Sequence, residues 1–287
     1  MKTKLLVLLA CAACISLFLA ACKEKGSRTL GSYFEAKSDY ATVLDDWLGQ
    51  SNPNWRVIPI YGPIYEPGTP MEPGSTEPLT DSCLVPVDKI IDDDMATFPS
   101  ISASRKFDIS ADIPDAIAKA KALAASGGAV FGISSESELS YQQMSQRAVR
   151  RDVFDQNLMR LDCLTIIAGK EVTIVRGLIT GQEVISSQKR LSTSATVEVM
   201  SDEALKVSYD SSGGYRLEDT EAHPKYYYVV NRTIQIDIPP DATMTMRRAI
   251  IEDYLRTEST GELDFVDRRP TDGQVESFVQ HSRAGAD

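Results

Sequence analysis

Histidine is almost missing from this chain: His223 and His281 are the only two among 287 residues. A serine or cysteine hydrolase triad would need His223 as its base, because His281 falls in a polar C-terminal stretch. No Gly-x-Ser-x-Gly elbow accompanies it, and His223 before Pro224 reads as an ordinary surface loop residue. Paired histidines for zinc, a P-loop and a dinucleotide glycine fingerprint are missing too, so no cofactor or metal is expected. Cations are also scarce, with 30 Lys and Arg against 41 Asp and Glu. Phosphate backbones are held by clustered Lys and Arg, so that balance excludes nucleic acid as a partner. It equally excludes attachment to anionic lipid by charge alone.

The apolar run from Leu5 to Leu19, broken by Ser16, covers 15 residues. A helix crossing the hydrocarbon core takes ~20, so a spanning anchor is not expected here. Lys2 and Lys4 before that run complete the pattern of a secretion signal. Leu19-Ala20-Ala21-Cys22 follows directly, and it resembles the lipobox of bacterial lipoproteins in order, spacing and flanks. Cys11 leaves too little apolar sequence before it, and Cys14 has Cys11 where the lipobox has a Leu-like residue.

The resemblance implies that residues 1–21 are removed and that Cys22 becomes acylated, making the bilayer a partner of the mature chain. One acyl chain gives reversible binding and two or more give stable anchoring. In enteric lipoproteins an Asp after the cysteine favours retention in the inner membrane. Lys23 stands there instead, which implies the outer membrane, with the body in the periplasm or at the cell surface.

Losing Lys2 and Lys4 takes the formal charge from −11 to −13. With Cys11 and Cys14 gone and Cys22 lipidated, Cys83 and Cys163 are the remaining thiols. An oxidising compartment makes a disulfide the expectation, the alternative being two buried free thiols.

Along the mature chain, residues 23–32 are small and polar and suit a flexible tether. From Tyr33 to Leu48 the apolar residues recur at helical spacing, with Gly49 to end the helix. Residues 53–86 hold eight of the fourteen prolines, which excludes helix and central sheet. Trp55, Ile58, Ile60, Tyr61, Ile64 and Tyr65 in that stretch predict a segment wrapped on the body, stapled by Cys83 at its far end. A strand is predicted over 101–110, then a helix opened by Asp112 and Pro114 and closed by Gly127-Gly128. Further strands are predicted over 131–141, from Cys163 to Ile185, and around Val197, Val199, Val207 and Tyr209, with 210–214 as a hairpin loop. The strongest strand pattern runs from Tyr226 to Ile238, and a closing helix is expected over 245–256. The expected architecture is α+β: an antiparallel, twisted sheet packed by helices, one domain over 33–267 with a frayed polar tail over 268–287.

Candidate chemistry is thin. Asp92-Asp93-Asp94 lacks the alternating ligands of a calcium loop and reads as a solvated acidic turn. Arg147, Arg150 and Arg151 form a basic island able to hold an anion, or else a salt-bridged strand edge. Tyr226 and Tyr228, with Tyr227 between them, put aromatics on both faces of one strand; they would offer a stacking platform for sugar or peptide if one face were exposed, or else pack between sheet and helix. The reading reached is a lipid-anchored envelope module that binds or scaffolds an envelope protein or glycan. A hydrolase working through two carboxylates is the first alternative. A membrane-perturbing protein is the second, because 129–145 and 178–199 are long, amphipathic and rich in Ser and Thr, though without strict alternation.

Overall fold

The computed structural model describes residues 33–93, 98, 102–107, 137–187, 197–201, 205–209, 215–257 and 265–284. The signal, the tether, the helix expected after Asp112 and the loop 210–214 lie outside them.

Helix α1 (Tyr33–Gly49) forms where Tyr33, Ala36, Tyr40, Ala41, Leu44 and Leu48 share one buried face at spacings of three and four. The amides of Ser51 and Asn52 turn back onto the Leu48 carbonyl and end it. The prolyl segment then wraps as expected. It supplies only short edge strands, β1 (Arg56–Pro59) and β2 (Pro70–Met71), followed by a 3₁₀ turn (Val87–Lys89) and β3 (Ile90–Asp93). Gly68, at φ +95°, donates its amide to the Val175 carbonyl. A Cβ there would lie within 2.4 Å of the Cys83 carbonyl, so only glycine lets the wrap lie this close. Cys83 and Cys163 are joined in a disulfide.

Among the described residues the sheet has eleven strands, antiparallel at every pairing. Its other members are β4 (Ser102–Phe107), β5 (Ser137–Val149), β6 (Glu171–Ser187), β7 (Val197–Ser201), β8 (Leu205–Tyr209), β9 (Tyr215–Asp219), β10 (His223–Ile234) and β11 (Phe265–Arg268). The 17-residue β6 is the spine. β5 and β2 occupy one of its edges, while β10 and β9 share the other. β10 in turn carries β1 and β11 on its far side. The fold class is therefore α+β, as the alternating patterns indicated.

Helices cover both faces. On one, α1 packs Tyr40 and Leu44 against Leu139, Ile179, Tyr226 and Tyr228. On the other, α5 (Asp272–Ala284) sets Phe278 against Ile58, Met71, Leu178, Tyr227 and Val229. At one end α2 (Arg151–Leu158), α3 (Leu161–Ile167) and α4 (Met244–Thr257) enclose a third cluster around the disulfide, with Phe154, Leu164, Ile234 and Ile251.

Three expectations are corrected. Of the tail expected over 268–287, the described part, 268–284, is not frayed, because Val275, Phe278 and Val279 give α5 a stripe that packs on the sheet, and Gln274 caps its first turn at Thr271. Cys163 sits on a helix, not a strand: Leu161, Leu164 and Ile167 recur at a spacing of three, and β6 begins only at Glu171 after Gly169 at φ +69°. Such a short apolar run fits either period. The acidic turn at Asp92 and Asp93 is part of β3, where Asp92 lies opposite Arg147 and pairs with it at 3.3 Å.

Candidate binding cleft

Where α1 crosses the sheet its stripe contains one residue out of character. Lys37 points into the core side of the helix and is 5% exposed, and its Nζ donates to the Ile60 carbonyl at 2.9 Å. It lies 5.1 Å above the Tyr61 ring and 5.8 Å above that of Tyr33. β6 contributes a matching exception, Glu183, also buried. Tyr33 donates to Glu183 Oε1 at 2.7 Å and Tyr141 to Oε2 at 3.2 Å, while Tyr226 donates to the Tyr141 hydroxyl at 2.8 Å. Asp219 at the end of β9 accepts the Glu183 amide at 3.1 Å and the Lys225 ammonium at 2.6 Å. Lys225 Nζ is 4.0 Å from Glu183 Oε2.

Tyr33, Lys37, Glu183, Asp219 and Lys225 form the floor of an open cleft of about 450 Å³, with Tyr141 and Tyr226 behind Glu183. Phe34, Ile60, Tyr61, Ile64, Leu217 and Pro224 form its apolar walls. Arg283 from α5 lies against the Phe34 and Tyr61 rings at 4.4 and 4.9 Å, fixing that rim. Two ammonium groups face two carboxylates, so the floor has no net charge but offers both donors and acceptors. That is the recurrent make-up of a small-molecule site, apolar walls with a few converging polar groups.

The same burial shifts the titrations. Loss of water lowers the Lys37 ammonium to about 8, against the opposing attraction of Glu183. Burial above all, with the Glu183 carboxylate adding to it, raises the Tyr33, Tyr141 and Tyr226 hydroxyls well above the ordinary phenol range. An unfolded lysine keeps its proton to about 10.5, so between about pH 8 and 10 the unfolded chain binds the proton that native Lys37 has released. This contribution raises stability with pH from about 8. Toward pH 10 the unfolded chain loses phenolic protons that the buried tyrosines keep, which opposes the rise and then reverses it. The expected net gain from pH ~7 to ~9 is about 1 kcal/mol, followed by urea unfolding at each pH. Lys37→Met should abolish the rise, and a flat wild-type profile would rule out the buried charge.

Comparison with known proteins leaves the geometry to stand alone. No family model matches the chain, and no curated protein matches it.

The residues marked out in the sequence fall elsewhere. Tyr226 and Tyr228 are no stacking platform, being 0% and 1% exposed. α1 covers the face they share, and Trp55 stacks on Tyr228 with centroids 5.0 Å apart. Tyr226 nevertheless reaches the cleft from behind through Tyr141. Arg147 pairs with Glu66 and Asp92, and Arg150 with Asp152, the salt-bridged edge foreseen as the alternative. His223 opens β10 as an exposed residue, and His281 is on α5, bonded to the Ser277 carbonyl. Lys37, Glu183 and Asp219 were passed over, although a lysine inside an apolar helical stripe is a legible signal.

Proposed function

We propose that this chain is a lipid-anchored bacterial envelope protein whose body binds an uncharged polyhydroxylated ligand, a glycan segment, in the cleft between α1 and the sheet. The observation that carries the ligand class is the balanced floor: Lys37 and Lys225 against Glu183 and Asp219, beneath apolar and aromatic walls. A charged ligand would leave a buried ion without a counterpart, which is costly. Sugar hydroxyls both donate and accept, and the sugar's C–H faces suit the walls. Anchoring rests on the lipobox of Leu19 to Cys22.

Titration calorimetry of the detergent-solubilised chain against neutral and N-acetylated oligosaccharides tests the ligand. Binding is expected to fall at least tenfold in Glu183→Gln, since a charge-assisted hydrogen bond contributes about 1.5–3 kcal/mol. Saccharide that goes unbound would refute the reading, and saccharide that is cleaved would favour a hydrolase working through Glu183 and Asp219. For the anchor, Cys22→Ser should move the protein from the membrane fraction to the soluble one.

A further inference from the structure

A second cleft, of about 330 Å³, opens at the other end of β6, between the turn 51–55 and the core cluster around Phe154. Its lining includes three arginines: Arg151 at the start of α2, Arg176 in the middle of β6, and Arg232 in β10. Arg232, 1% exposed, is fully engaged, with Asp267 on two nitrogens at 2.5 and 2.8 Å and with Asp155 at 2.6 Å. Arg176 differs. It is 5% exposed, its guanidinium carbon lies 3.7 Å from the centre of the Phe154 ring, and its Nη1 is buried with no hydrogen-bond partner among the described residues. Burial and the neighbouring Arg232 lower its pKa to about 10, which leaves it cationic at neutral pH. Arg151, largely exposed at the rim, reaches Asp155 only at 3.7 Å.

A buried guanidinium nitrogen without an acceptor is destabilising, and native structures normally satisfy such groups. The charge count shows what is missing. Among the described residues, Arg151, Arg176 and Arg232 meet only Asp155 and Asp267, so one positive charge is left over. Nearby Arg56 and Arg269 do not add to it, since Asp45 and Asp272 pair with them.

We propose that this cleft binds a single carboxylate, taken between Arg176 and Arg151, with Asn52, Asn54 and Trp55 lining its mouth. The surplus matches one negative charge. A phosphate dianion would exceed it and press against Asp267. Carboxylate geometry also suits the fork of a guanidinium. The two sources in an envelope are a peptide chain end and an acidic sugar, which share this chemistry. The site is separate from the glycan cleft and does not depend on it.

Titration calorimetry on the full chain in detergent micelles tests this. The probes are a short acetylated peptide with a free C-terminus, its C-terminal amide, glucuronate, glucose and inorganic phosphate. Binding of either carboxylate, with its neutral counterpart silent and phosphate at least tenfold weaker, is the expected result; which of the two binds identifies the source. Arg176→Met, which retains contact with Phe154, should weaken binding more than tenfold. Arg151→Glu alters an exposed residue and turns the surplus into a deficit, so it should do the same without disturbing the fold. Glu183→Gln should leave the carboxylate affinity unchanged, which separates this site from the first. Equal binding of acid and amide, tighter binding of phosphate, no carboxylate binding at ~10 mM, or full affinity in Arg151→Glu would each overturn the proposal.

Discussion

Replacing Gly177 by alanine is expected to remove about 3 kcal/mol or more of the unfolding free energy. Gly177 lies midway along β6, paired to Ala148 of β5 on one side and to Tyr228 of β10 on the other. The Tyr228 ring leans directly over it, so that an added Cβ would stand 2.0 Å from the tyrosine oxygen and 2.5 Å from the Arg147 carbonyl. Neither can retreat cheaply. Tyr228 is wedged by Trp55 and accepts a hydrogen bond from Gln146 at 2.7 Å, and Arg147 is main chain in β5. Overpacking of this kind commonly costs 1–3 kcal/mol, and a contact that involves sheet backbone belongs at or above about 3. A domain with 5–15 kcal/mol in hand then loses a large share. Adding Tyr228→Ala should restore part of the loss and not all, because the Arg147 carbonyl remains. Urea unfolding of Gly177→Ala and of the double variant measures this, and wild-type stability in Gly177→Ala would refute the packing argument.

Removing the disulfide is the other large effect. Cys83 and Cys163 are 80 residues apart in sequence and both completely buried. Closing a loop of that length restricts the unfolded chain by about 4.5 kcal/mol in the chain-entropy account. The bond also fixes the end of the prolyl wrap to α3, and there Asn157 donates to the Cys83 carbonyl. Cys83→Ala with Cys163→Ala should therefore lower the unfolding free energy by roughly 3–5 kcal/mol. The wrap should become sensitive to protease between 60 and 86 before the rest of the body does. With both sulfurs shielded, reduction in native buffer should be slow and should accelerate in denaturant. A double variant within 1 kcal/mol of wild type would show that packing alone holds the wrap.

How much of this could be read from the residues depended on the range of the interactions. Helix α1, the wrapped prolyl segment and α4 followed from local patterns: a period of three to four, or a density of proline that leaves few options. The disulfide followed from elimination. β10 was legible as a strand with aromatics on both faces, and α1 and α5 bury both of them. Its consecutive tyrosines are three core residues shared between two layers. The failure at α5 came from composition, since its polar majority hid Val275, Phe278 and Val279. The sites were less visible still. Tyr33 meets Glu183 across 150 residues, and Arg232 meets Asp155 across 77. What was available locally was the anomaly itself: Lys37 in an apolar helical stripe, Arg176 within Val-Thr-Ile-Val-Arg-Gly-Leu-Ile, and Arg232 within a run of buried strand residues. A charge placed where burial is expected marks the places to look, although not its partner.

The position of Tyr33 has a mechanical side. It is the first residue of α1, and its hydroxyl is clasped by the Glu183 carboxylate on the cleft floor. In the proposed lipoprotein, residues 23–32 join it to the acylated cysteine, and ten residues reach at most ~35 Å when fully drawn out. Tension between membrane and ligand would then act at Tyr33, on the hydrogen bond that helps shape the cleft. In that arrangement a pull along the tether would loosen the cleft floor, and a slack tether would leave it intact.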